Sequence, residues 1–181
     1  MKVGIKTTIL ACAIALAGCA PSPERIAAAS FSFSETNQPV QMFSDACLKT
    51  LPNFDGFPSV VERRGLTPAG RKGGLTAYKA PGEKLLTVTS AEIGDKSACG
   101  VGFLGSENSA EIGSLFLQEA TKRTGGKPRE KFPSSRFAYA YQLRNGSVMT
   151  YEVKRKGSQI RHIVLISKPA TREEVAEYIY N

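Results

Sequence analysis

Tryptophan is absent from the 181 residues, histidine occurs once, at His162, and cysteine occurs four times. A zinc centre needs three or four nitrogen, sulfur or carboxylate ligands within reach of one another. No such spacing surrounds His162, which sits in an alternating run between Ile160 and Val164 and reads as a core or edge residue. There is no Gly-x-Ser-x-Gly elbow to mark a serine hydrolase. A phosphate-binding loop is missing too: Ala69-Gly70-Arg71-Lys72-Gly73-Gly74 has glycine and charge at the wrong spacing and reads as a solvated loop. The carboxylates Asp55, Glu62, Glu92, Asp95 and Glu152 are scattered rather than grouped for acid–base work. The sequence therefore names no catalytic residue, metal or cofactor. No apolar run reaches the about 20 residues of a membrane-spanning helix.

What is present is ordinary for a packed chain: 41% hydrophobic, 22% charged and 8% aromatic residues. That balance excludes wholesale disorder, a fibre and a multi-span membrane protein. The length suits one domain. Lysine and arginine number 24 against 16 acidic residues, a formal charge of +8. Loss of a leader containing Lys2 and Lys6 would leave 22 against 16, or +6.

That leader is the clearest signal in the chain. A basic start is followed by a short apolar run, Ile9–Ala17, and a small-residue exit, the pattern of a secretory signal. The exit, Leu16-Ala17-Gly18-Cys19, resembles the lipobox of bacterial lipoproteins. The resemblance implies cleavage before Cys19, a thioether from its sulfur to diacylglycerol, and acylation of its new amine. A thiol suits that linkage because it is the stronger nucleophile. Two or three acyl chains anchor stably where one would be marginal. Ala20 follows the cysteine where an aspartate would resemble an inner-membrane retention signal, which favours the outer membrane, facing the periplasm.

The expected organisation is a signal over 1–18, a lipidated flexible tether over 19–38, and one α+β domain over 39–181. About 20 flexible residues would hold the domain roughly 25 Å from the lipid; alternatively, Phe31-Ser-Phe33 adds a short edge strand. Val40, Phe43, Cys47, Leu48 and Leu51 fall on one helical face, and Pro58–Arg64 reads as a second helix. Strand patterns follow at Leu75–Lys79, Lys84–Ala91 and Ala98–Leu104, then a main helix at Ser106–Arg123. Phe137–Leu143 and Ser147–Arg155 flank Asn145-Gly146, a two-residue hairpin signal that would set Ala140 opposite Tyr151. Gln159–Ser167 and a C-terminal helix at Thr171–Tyr180 complete the chain. The fold class is thus α+β: an antiparallel sheet of five to six strands, an N-terminal helix pair, one central packing helix and a C-terminal helix. The recurrence of β-β-β-α hints at a repeat without sequence similarity to support it.

Cys12 leaves with the signal and Cys19 carries lipid, so Cys47 and Cys99 remain. An even pair in an oxidising compartment is the arithmetic of one disulfide. Two free buried thiols, or a Cys/His pair with His162, are the competing readings. The pattern Phe43-x3-Cys47-x4-Pro52-x-Phe54, with Gly65-Leu66 and Cys99-Gly100-Val101, is similar to small exported alphaproteobacterial proteins of unknown function. The resemblance covers residues 43–101, implies a structural bridge between the two cysteines, and implies no activity.

The basic residues point outward. Lys122, Arg123, Lys127, Arg129 and Lys131 fall within ten positions, relieved only by Glu130, and Arg63, Arg64, Arg71 and Lys72 form a second group. Either these are a solvated helix end and loops, or they meet an anionic partner: phospholipid, lipopolysaccharide, peptidoglycan or an envelope protein. Nucleic acid is set aside, since an exported protein rarely meets it. Tyr139, Tyr141, Tyr178 and Tyr180 offer either a protein-binding face or packing under a helix. The reading is a non-catalytic, membrane-anchored envelope lipoprotein with an interaction or assembly role. A periplasmic ligand-binding module and a weakly marked hydrolase are the rivals.

Overall fold

The computed structural model describes residues 37–72, 74–79, 87–93, 96–105 and 108–180. The expected signal, Cys19, the Phe31-Ser-Phe33 segment, and the turns at Pro81-Gly82 and Gly94-Asp95 lie outside these residues.

Helix α1 is α-helical over 37–43, so residues 37 and 38, expected in the tether, are helical; it ends in a π-helical turn, Ser44–Leu48. Its apolar face buries Phe43, Cys47 and Leu48, as their spacing requires. Helix α2 is Phe57–Arg63, with Pro58 in its first turn, where a missing N–H costs nothing. Four strands follow, β1 (Thr67–Lys72), β2 (Leu75–Lys79), β3 (Thr87–Ile93) and β4 (Lys96–Gly105). Helix α3 (Ser109–Thr124) leads to β5 (Glu130–Phe132), β6 (Tyr139–Gln142), β7 (Ser147–Lys156), β8 (Gln159–Pro169) and helix α4 (Arg172–Tyr180). Thr171 caps α4 reciprocally: its hydroxyl accepts from the Glu174 N–H at 3.3 Å, and its own N–H donates to the Glu174 carboxylate at 2.7 Å.

All eight strands form one antiparallel sheet in the order β1-β2-β3-β4-β8-β7-β6-β5. Two four-stranded meanders thus meet along their last strands, β4 and β8. The class and the antiparallel sheet are those the sequence implies, but the sheet has eight strands among the described residues, not five or six. Both additional strands are edges. Every residue of β1 is exposed, and it contains Pro68 and a bulge before Gly70, so no apolar alternation announces it. Its proline, bulge, Arg71 and Lys72 also guard the edge against pairing with another chain. Strand β5 is three residues set among charges.

The sheet is covered on two faces. On the first, α1 and α3 pack over Val88, Val101, Phe103, Met149, Tyr151, Val164 and Ile166. A disulfide between Cys47 and Cys99, with Cα atoms 5.3 Å apart, staples α1 to β4. On the second face, Val175 and Ile179 of α4 pack on Phe132, Phe137, Ala140 and Val148. Phe137, the first residue of the expected strand Phe137–Leu143, instead precedes β6 and joins this second layer.

The hairpin register differs from expectation by one residue. The Leu143 N–H donates to the Ser147 carbonyl at 2.8 Å and the Gly146 N–H to the Leu143 carbonyl at 2.9 Å, enclosing a three-residue loop, Arg144-Asn145-Gly146. Gly146 has φ +90°, the left-handed residue such a loop needs. Tyr139 therefore faces Tyr151, Tyr141 faces Met149, and Ala140 faces Thr150. Large residues meet large on the first face. Gly113 of α3 accommodates them: a Cβ there would stand 2.6 Å from Tyr139 and 2.8 Å from Tyr151.

Candidate anionic-surface interface

The first basic group is assembled by the end of α3, the connection after it, and the edge strand β5. Lys122 and Arg123 occupy the last turn of α3, where cations complement the helix dipole. Gly125, at φ +94°, and the Gly126 N–H, 2.8 Å from the Thr121 carbonyl, close that helix. The chain then returns through Lys127 and Arg129, whose N–H donates to the Gln142 carbonyl at 2.8 Å and starts the β5–β6 pairing.

Strand alternation next separates opposite charges. Lys131 pairs with Tyr141 on the first face, its ammonium 5.9 Å from that ring's centroid. Glu130, the one acid in the run, pairs with Gln142 on the second face, where Arg172 of α4 holds it at 2.9 Å. The acid that interrupts the run in the sequence thus points to the face opposite Lys131. Arg123 has a nearby acid, Glu119, at 3.6 Å. Lys122, Lys127, Arg129 and Lys131 are exposed and make no ion pair among the described residues. Arg144, from the β6–β7 loop, joins them beside Gly125, where an added Cβ would lie 3.7 Å from its Cδ. No local pattern reveals this sixth cation, because only the hairpin brings it there.

The second basic group is elsewhere. Arg64 pairs with Asp45 on α1, while Arg71 and Lys72 lie on β1 at the opposite edge of the sheet. Seven strand spacings of about 4.8 Å put β1 and β5 roughly 34 Å apart. The two groups do not form one patch.

The remaining candidates resolve into structure. His162 is fully buried, its Nδ1 2.7 Å from the Tyr151 hydroxyl, and it stacks against Phe103 with centroids 5.0 Å apart. It is a core residue and does not meet the Cys47–Cys99 pair as a third reactive group. Glu152 is buried between Lys154 at 3.0 Å and Arg136 at 3.7 Å. Asp55 and Glu62 are exposed; Asp95 lies outside the described residues, as does the Glu92 side chain. Tyr139 and Tyr141 pack under α3, the Tyr139 hydroxyl donating to the Gly113 carbonyl. Tyr180 is exposed on α4, beneath the other face, so it shares no surface with Tyr139 and Tyr141; the Tyr178 side chain lies outside the described residues. Burial pushes the Tyr139 and Tyr151 phenols above their ordinary range, and Tyr139 is raised further by its phenolic neighbours Tyr151 and Tyr141.

Among the described residues, no three His, Cys, Asp or Glu side chains are grouped to hold a metal ion. No helix among them is long and apolar enough to cross a membrane. The chain matches no protein-family model, no curated protein and no solved structure.

Proposed function

We propose that this protein is a non-catalytic bacterial envelope lipoprotein, anchored through Cys19 to the outer membrane and facing the periplasm. Its interaction surface is the basic face formed by Lys122, Arg123, Lys127, Arg129, Lys131 and Arg144, and its partner is an anionic envelope surface. The observation that carries the reading is the split between Glu130 and Lys131: the local acid is neutralised by Arg172 on one face while Lys131 stands exposed on the other. Each such cation near an anionic membrane contributes about 1 kcal/mol, so five or six together give useful affinity. A tether of about 20 residues reaches far enough for the face to meet head groups of its own membrane.

The test uses a secreted form with Cys19→Ser behind an ordinary signal, so that acyl chains do not dominate binding. Co-sedimentation with phosphatidylglycerol vesicles and with phosphatidylcholine vesicles is measured across a salt series. Binding to the anionic vesicles alone, weakening steeply with salt, is the expected outcome. Equal binding to both, or none to either, overturns the reading.

A further inference from the structure

Within the basic face lies a groove of about 590 Å³ between α3 and the connection that follows it. It is a shallow depression open to solvent rather than an enclosed cavity, so it suits one segment of a larger molecule lying across the surface. Its lining is amphipathic in an ordered way. Ser114, Gln118 and Lys122 repeat every fourth residue, which sets three donors in one row about 12 Å long on α3. Leu117 and Pro128, both half-buried, supply apolar walls, and Lys127 faces in from the connection. The Ser114 hydroxyl and Gln118 amide make no hydrogen bond within the described residues, so both are available to an acceptor from outside.

We infer that this groove binds one molecule of an anionic phospholipid. The phosphodiester sits between the Lys122 and Lys127 ammonium groups, a pair of point charges suited to phosphate. The glycerol and ester oxygens accept hydrogen bonds from Gln118 and Ser114, and the upper acyl chain lies on Leu117 and Pro128. The charge of the pair selects an anionic head group, and the apolar walls favour a lipid over free phosphate. The inference rests on the envelope reading above and deepens it: the same face would hold a single lipid in a defined pose as well as a diffuse layer of charge.

The full native chain, reconstituted in phosphatidylcholine vesicles doped with a phosphatidylglycerol carrying a photoreactive group high on its acyl chain, is crosslinked and mapped by mass spectrometry. The expected crosslinks concentrate on residues 114–128, are competed by phosphatidylglycerol, and are not competed by inorganic phosphate. Gln118→Trp fills the groove without changing charge, and Ser114→Trp does so from one turn earlier. Each lowers groove crosslinking by about tenfold while the denaturant midpoint of unfolding stays at the parent value, since both positions are exposed. Crosslinks spread over the whole basic face, or unchanged in both variants, overturn the groove. Loss of the parent's preference for anionic vesicles with groove crosslinks retained overturns the surface reading and leaves the groove standing.

Discussion

Glu130 and Arg172 are joined at 2.9 Å across the gap between β5 and α4, on the face of the sheet opposite Lys131. Exposed ion pairs are worth at most about 1 kcal/mol in stability, and the consequence here is directional. The pair removes the only acid in a run of cations from the surface those cations share. Arg172→Ala should therefore leave binding to anionic vesicles near the parent value, since the released carboxylate still faces away. Lys131→Glu should weaken it by about tenfold or more, because an attraction of about 1 kcal/mol becomes a repulsion of similar size. Vesicle titration of the two variants side by side checks the contrast.

Intact mass of the protein extracted from its native membrane tests both ends of the cysteine arithmetic. The account expects residues 19–181 plus acyl groups, with Cys47 and Cys99 alkylated only after denaturation and reduction.

The same bridge closes a separation of 52 residues, for which the chain-entropy relation gives about 4 kcal/mol. A Cys47→Ser/Cys99→Ser variant should unfold at markedly lower denaturant concentration, with its loss of stability approaching that figure.

Gly113 allows α3 to settle on Tyr139 and Tyr151. Gly113→Ala would place a methyl 2.6 Å from one ring and 2.8 Å from the other, so the helix or the rings must shift to admit it. A destabilisation of about 1–3 kcal/mol is expected, the usual cost of overpacking. Gly126→Ala, with no atom within 4 Å of its added carbon, tests backbone conformation without crowding, since its φ is +113°.

Tyr139 and Tyr151 should be withheld from alkaline titration. Both phenols are raised above the ordinary value of 10.0, chiefly by burial. The folded chain thus keeps protons that the unfolded chain releases. Their contribution to stability is whole below about pH 10 and is lost as pH rises beyond it. Phenolate absorbance of the native protein should fall short of that in denaturant by at least the contribution of these two residues, and that deficit should vanish in step with unfolding.

The fold was legible where burial imposes a period. The α1 stripe through Phe43 and Cys47, the α3 stripe through Ile112 and Phe116, and the central strands all carry apolar spacing that one side of the core dictates. Strands β1 and β5 carry none, because an edge strand such as Thr67–Lys72 owes its existence to its neighbour's backbone and not to its own side chains. The hairpin loop is similar in kind: Asn145-Gly146 marks a turn, but only the Leu143–Ser147 hydrogen bond tells a three-residue loop from a two-residue one. At the candidate interface, five cations were visible as a run. The positions of Glu130 and Arg144 were not, since each depends on β6 being paired beside β5 and α4 lying beneath.

The most direct measurement compares two charge-matched reversals in the secreted form: Lys127→Glu/Lys131→Glu at the α3–β5 edge, and Arg71→Glu/Lys72→Glu at the β1 edge. Both change net charge equally, so any general electrostatic effect is shared. The account predicts that the first abolishes binding to phosphatidylglycerol vesicles at moderate salt while the second retains most of it. Equal losses in the two variants, or a greater loss at the β1 edge, would contradict the assignment of the interface.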